Sequence, residues 1–211
     1  MFLQNAISKR INDNNPVKVA LIGAGKFGSM FLSQVPSTLG IEVLVIADLK
    51  PDNAVKACKN VGWSDDLINK TKFVDRGTDA IKLNEVEVVI EATGFPAAGI
   101  EHARQAFQNG KHIIMVNVEA DVLAGAALVK EANSAGVVYS MAYGDQPALT
   151  AEIVEWARAS GFNVTSAGKG TRYQPIYHKS SPDTVWDYYG LTHEEAKKAG
   201  MNPKMFNSFL D

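Results

Sequence analysis

The stretch VKVALIGAGKFG, residues 17–28, decides the fold. An apolar run rich in β-branched residues ends at Gly23, and Gly25 and Gly28 follow in the spacing G-x-G-x-x-G. The sequence after Gly25, KFGSMFLSQVP (26–36), predicts a helix that stops near Pro36. A strand that turns on such glycines and opens a helix is the start of a dinucleotide-binding βαβ unit. The next apolar run, IEVLVIAD (41–48), places Asp48 20 residues past Gly28, where an acidic ribose hook is expected. In this pattern Gly23 permits the tight turn, Gly25 lets a pyrophosphate approach the backbone, and Gly28 lets helix and strand pack closely. Lys26 and Phe27 sit on the same turn and join the expected cofactor contacts. The helix N-terminus offers its N–H groups and positive partial charge to the phosphates. Asp48 favours NAD over NADP, because a 2′-phosphate would meet a like charge. Lys50, two residues on, offsets that, so the expected cofactor is NAD(P)H. A bare structural turn and the glycine loop of a methyltransferase are the alternatives, and the third glycine weighs against the latter.

Outward from this core the alternation continues. Helical spacing of Phe2, Leu3, Ala6, Ile7 and Ile11 predicts an N-terminal helix within residues 1–15, broken by Asn12–Pro16. Helices are expected over 51–61, 96–110, 121–136 and 147–161, and strands over 85–94, 111–118 and 137–144. Strands that are apolar throughout and separated by helices imply a parallel sheet covered on both faces. The fold class is therefore α/β: a doubly wound Rossmann domain over residues 16–145, followed by the start of an α+β catalytic and oligomerisation domain over 146–211. In the second part FNVTSAGKG (162–170) predicts a strand, and LTHEEAKKAG a helix with Thr192 and Glu195 as a capping box. The apolar pattern of the last residues, MNPKMFNSFLD, leads us to expect the front half of a longer protein.

Composition narrows the function. With 21 Lys+Arg against 23 Asp+Glu the chain has no basic excess for nucleic acid. One cysteine, Cys58, excludes an internal disulfide framework. No apolar run approaches the roughly 20 residues of a membrane span, and no secretory signal opens the chain. A cytoplasmic location is expected. There is no H-E-x-x-H and no cysteine pair, so no metal site is expected, although a divalent ion on substrate hydroxyls is compatible with the sequence.

Ligands of an open parallel sheet lie beyond the carboxyl ends of its strands. Three segments fall there. Glu91-Ala92-Thr93-Gly94-Phe95-Pro96 offers Thr93 and Gly94 to the nicotinamide ribose. Asn117-Val118-Glu119-Ala120-Asp121 offers Asn117 to the carboxamide or ribose and Glu119 to the substrate, with Asp121 expected to cap the following helix. Tyr143-Gly144-Asp145-Gln146-Pro147 offers Tyr143 to the substrate, while Asp145 reads both as a helix cap and as a catalytic group. His102 and His112 are expected to be structural and His193 solvated. His178, in an aromatic, turn-rich stretch, is the histidine assigned to the substrate. Cys58 reads as a small buried hydrophobe, and the cluster Trp186-Asp187-Tyr188-Tyr189 as interface core.

VALIGAGKFG, EATG, MVNVEADVLAG and YGDQPAL together resemble the amino-terminal half of the homoserine-dehydrogenase-like oxidoreductases that carry a carboxy-terminal SAF domain. That group includes enzymes similar to 1-deoxy-D-xylulose 5-phosphate reductoisomerase. The resemblance implies NAD(P)-dependent oxidoreductase activity, with reductive isomerisation of 1-deoxy-D-xylulose 5-phosphate as its most concrete candidate. Homoserine dehydrogenases carry a segment N-G-T-T-N-Y across the substrate site. The similar stretch here, Gly168-Lys169-Gly170-Thr171-Arg172-Tyr173, holds two cations. Two cations suit a small anionic substrate, a sugar phosphate or sugar acid, better than an amino acid. Lys169 is the expected proton-handling catalytic residue and Arg172 the anion-binding one. Homoserine dehydrogenase itself and a non-catalytic dinucleotide-sensing module stand as alternatives, and a homodimer is the expected assembly.

Overall fold

A computed structural model describes residues 3–144, 146–168 and 174–208. By its internal contacts the chain divides into two units, residues 1–161 and 162–211.

The first unit opens with α1 (Leu3–Asn12), then β1 (Val17–Ile22), α2 (Lys26–Gln34) and β2 (Ile41–Ala47). Next come α3 (Pro51–Asn60), α4 (Asp65–Lys70), β3 (Lys72–Val74), α5 (Gly77–Ile81) and β4 (Val88–Glu91). It closes with α6 (Pro96–Gln108), β5 (His112–Met115), α7 (Val118–Ala135), β6 (Tyr139–Met141) and α8 (Gln146–Ala159). Among the described residues the six strands form one sheet in the order β3-β2-β1-β4-β5-β6, each pair parallel. The order reverses between β1 and β4, which sets a topological switch point at the carboxyl ends of Ile22 and Glu91.

Alternation along the central strands explains the two helical layers. Val19 and Leu21 of β1 face one way, with Leu32, Val43, Ile46, Ala54, Cys58 and Ile90. Ala20 and Ile22 face the other way, with Val45, Ala80, Val89, Ala103, Ile113 and Leu128. Successive side chains of a strand point to opposite faces, so a strand apolar at every position must be covered on both. Cys58 is fully buried, and burial pushes its thiol up to about 11. The Trp63 indole, also buried, donates to Leu32 O at 2.7 Å and fastens the segment after α3 to α2. Arg10 grips Glu87 through two guanidinium nitrogens at 2.9 and 2.6 Å, attaching α1 to the residue before β4. The Arg10 hydrogen bond holds the Glu87 carboxyl below the usual carboxylate range.

Three expectations are corrected. The sequence shows no elements between residues 61 and 85, yet α4, β3 and α5 lie there. They span 3 to 6 residues each, too short for periodicity to register. The helix expected to start at Asp121 begins at Val118, because Asn117 Oδ1 accepts from Ala120 N at 3.1 Å and caps it instead. The Asp121 carboxylate lies inside the first turns and accepts from the Tyr139 hydroxyl at 2.7 Å. Burial first, then this bond, raises the Tyr139 hydroxyl far above its ordinary value.

The second unit holds a 3-10 turn (Pro175–Lys179), α9 (Val185–Tyr189), α10 (His193–Lys198) and α11 (Pro203–Ser208). Residues 162–168, expected as a strand, have no regular structure. Thr192 caps α10 and Glu195 returns the bond to the Thr192 backbone, the capping box the sequence shows. Val185, Trp186 and Ala196 are buried together, with Leu191, Met201 and Phe206 packed against them.

Candidate functional site

At the switch point the glycine turn and two loops meet. Gly23 takes φ +96°, and a Cβ there would lie 2.7 Å from Ala92 O and 3.1 Å from Thr93 N. The turn after β1 is thus pressed against the loop after β4. Gly25 caps α2 with no side-chain hydrogen bond, and among the described residues nothing lies within 4 Å of where its Cβ would be. The first-turn N–H groups of a helix lack intrahelical acceptors, so the turn presents backbone donors to open space. That is the cradle a pyrophosphate requires, and the residues present fit a dinucleotide.

Asp48 follows β2 and is half-buried. Its Oδ2 accepts from Ala24 N at 3.1 Å and its Oδ1 from Lys50 N at 3.0 Å. The carboxylate is therefore fixed beside the glycine turn, each oxygen keeping a lone pair for a further donor. Lys26 and Phe27, at the start of α2, are exposed.

On the other side of the crevice the Thr93 hydroxyl donates to Glu91 Oε1 at 2.5 Å. It accepts from Asn117 Nδ2 at 3.3 Å, and Asn117 Nδ2 also donates to Phe95 O at 2.9 Å. Thr93 and Gly94 are exposed, whereas Asn117 is buried. The structure thus brings Gly23–Gly28, Asp48, Thr93, Gly94 and Asn117 to one edge. Asn117 is occupied there with capping α7 and clasping the Thr93 loop. Glu119 is exposed in the first turn of α7. Tyr143, exposed after β6, donates to Glu152 of α8, and that bond raises its hydroxyl above the ordinary range. His178 lies exposed in the 3-10 turn of the second unit. Asp145, Lys169 and Arg172 lie outside the described residues.

Two residues here have no functional role in the sequence reading, which leaves Glu91 unassigned and takes His102 as structural. Glu91, the last residue of β4, is fully buried, and His102 of α6 reaches its Oε1 with Nδ1 at 3.2 Å. The signal that could have found Glu91 is an acidic residue closing the apolar run VVIE. Nothing in the sequence links it to His102. Among the described residues no three His, Cys, Asp or Glu side chains gather as a metal site, and no helix is long and apolar enough to cross a membrane.

Sheet order, glycine turn and acidic hook define a Rossmann-type nicotinamide-dinucleotide-binding domain. The family model described as homoserine dehydrogenase, NAD binding domain, matches residues 23–142, and the chain belongs to that family. A second model, the catalytic domain of oxidoreductase DRL, matches residues 144–211. No curated protein matches the chain. Solved structures share the fold. A homoserine dehydrogenase from Thiobacillus denitrificans is 22% identical with a TM-score of 0.51, covering 60% of this chain and 29% of its own. An NAD-binding oxidoreductase from Klebsiella pneumoniae is 17% identical with a TM-score of 0.51, covering 69% and 39%. A myo-inositol dehydrogenase from Lactobacillus casei, in complex with NAD(H) and myo-inositol, is 17% identical with a TM-score of 0.53, covering 69% and 42%. The chain thus spans less than half the length of these structures.

Proposed function

We propose that the chain is the cofactor-binding part of an NAD(P)-dependent oxidoreductase that prefers NAD(H) and acts on a small anionic carbonyl or hydroxy compound. The observation that carries the preference is the Asp48 carboxylate, anchored by Ala24 N and Lys50 N beside the glycine turn. A carboxylate held there accepts from ribose hydroxyls and repels a 2′-phosphate. The amides at the start of α2 hold the pyrophosphate, and Thr93 and Gly94 border the nicotinamide ribose. The bound nicotinamide supplies the hydride chemistry. The proton at the reacting oxygen is assigned to Lys169 and the substrate's anionic group to Arg172. Glu119, Asp145, Tyr143 and His178 are the further substrate-side residues. Reductive isomerisation of 1-deoxy-D-xylulose 5-phosphate is the sharpest substrate reading. It is supported by the resemblance of NVEAD and YGDQPAL and by the two cations of Gly168–Tyr173. A homodimer located in the cytoplasm is the assembly that accompanies this reading.

A fluorescence titration with NADH and NADPH tests it. The unaltered chain is expected to bind NADH more tightly. Asp48→Ala should weaken NADH about tenfold, the equivalent of roughly 1.4 kcal/mol, and narrow or reverse the preference. Failure of the folded chain to saturate with either dinucleotide would sink the reading.

A further inference from the structure

We propose that Glu91, held by His102, is a positioning residue that sets the nicotinamide-side loop through the Thr93 hydroxyl. The inference rests on the reading that the crevice takes a nicotinamide dinucleotide, and it assigns a task to two residues that touch no part of that ligand's expected path.

The geometry is a relay across four elements. His102 of α6 meets Glu91 Oε1 at 3.2 Å, and Thr93 donates to the same oxygen at 2.5 Å. Thr93 Oγ1 accepts in turn from Asn117 Nδ2 at 3.3 Å and from Phe95 N at 3.4 Å. Asn117 completes the chain by accepting from Ala120 N and so capping α7. One exposed loop, Thr93–Phe95, is thereby tied to the end of β4, to α6 and to α7. The Thr93 hydroxyl donates inward, so its orientation is set by the buried carboxylate rather than by solvent.

The arrangement is costly as a core. Glu91 is fully buried, yet Oε1 takes both contacts and Oε2 is buried with no hydrogen-bond partner among the described residues. A buried carboxylate with an orphaned oxygen costs free energy that an apolar side chain of similar volume would not. Space around the relay is also reserved. A Cβ on Gly77 would lie 2.5 Å from His102 Nε2, and one on Gly99 would lie 2.7 Å from Asn117 Nδ2. A polar relay in so restricted a space, ending on an exposed loop at the switch point, fixes the loop's geometry at the expense of stability.

The test separates the two halves of the ligand. Binding of NADH, followed by nicotinamide fluorescence, is compared with calorimetric binding of ADP, which lacks both the nicotinamide and its ribose and needs only the glycine turn and Asp48. Glu91→Met removes the acceptor while keeping volume. It should raise the NADH Kd about tenfold and leave ADP within about twofold. Glu91→Gln retains an oxygen acceptor and should bring NADH back to within about threefold of the unaltered chain. His102→Leu removes the group that holds Glu91, touches no part of the ligand's path, and should likewise weaken NADH alone, which keeps the test decisive if Glu91→Met fails to fold. Parallel weakening of both ligands, weakening of neither, or a Glu91→Gln chain as weak as Glu91→Met overturns the positioning role. Loss of both ligands from the unaltered chain overturns the cofactor reading beneath it instead.

Discussion

A Gly25→Val chain is expected to fold as the unaltered chain does and to bind NADH at least about 100-fold more weakly, a loss of roughly 2.7 kcal/mol. The expectation follows from where the new side chain goes. Gly25 has φ −70°, which any L-residue adopts, and no atom of the described residues lies within 4 Å of its would-be Cβ. The fold therefore has room for the substitution, and although valine is a poorer N-cap than glycine, that cost of up to about 1 kcal/mol is smaller than the binding loss. The space it fills is the approach to the α2 amides. A side chain there holds a pyrophosphate off the backbone and forfeits the hydrogen bonds that helix N-termini give to anions. Gly28→Ala should fail differently. Its Cβ would lie 2.2 Å from Gly23 O, a backbone atom, so α2 must move off the turn. Overpacking of this kind costs about 1–3 kcal/mol and lowers the thermal midpoint by several degrees before any ligand is added. Thermal melts with NADH titrations check both. A Gly25→Val chain that binds NADH normally would show that the pyrophosphate does not lie against this turn.

That contrast between two glycines of one motif shows what the sequence carries and what it lacks. G-x-G-x-x-G after a buried strand identifies the turn, and Asp48 follows from spacing alone. The motif does not show that Gly28 is filled by backbone while Gly25 faces open space. The long elements around it are legible for a related reason: β1 and β2 are continuous apolar runs, and α3, α6 and α7 are long runs marked by proline or glycine at their ends. Lys72–Val74, three residues at the sheet edge, displays none and is held by pairing with β2. Capping chemistry was legible at Thr192 and Glu195, four consecutive positions with one reading. It misled at Asp121, because Asn117 also suits a cap and the tie is broken by Tyr139, 18 residues away. Glu91 and His102 mark the same limit. Their pairing depends on α6 packing against the end of β4, a tertiary fact that neither residue type announces.

The aromatic cluster of the second unit supports the other large effect: Trp186→Ala is expected to unfold residues 174–208 while dinucleotide binding by the first unit persists. Trp186 is buried, with its ring centroid 5.4 Å from that of Phe206 and 6.5 Å from that of Tyr189. Tyr189 and Phe206 meet edge to face at 5.4 Å, so the three rings close on one another. Among the described residues of this cluster, Val185 and Ala196 are the others fully buried, which makes the indole the bulk of this core. Truncating a buried tryptophan costs about 3–5 kcal/mol. A unit of about 50 residues has a few kcal/mol of stability, at roughly 0.05–0.15 kcal/mol per residue. The loss is therefore comparable with the whole margin. The α10 capping box does not compensate, because a cap is worth about 1 kcal/mol and a helix of 6 residues does not stand without tertiary packing. The first unit has its own two-layered core, and the residues proposed to hold the dinucleotide all precede Val118. Limited proteolysis should cut the variant after residue 161 at protease levels that leave the unaltered chain whole, and the near-UV signal of the aromatic cluster should vanish. The NADH Kd should stay within about twofold. Protease resistance equal to that of the unaltered chain would mean that the second unit does not depend on this indole for its stability.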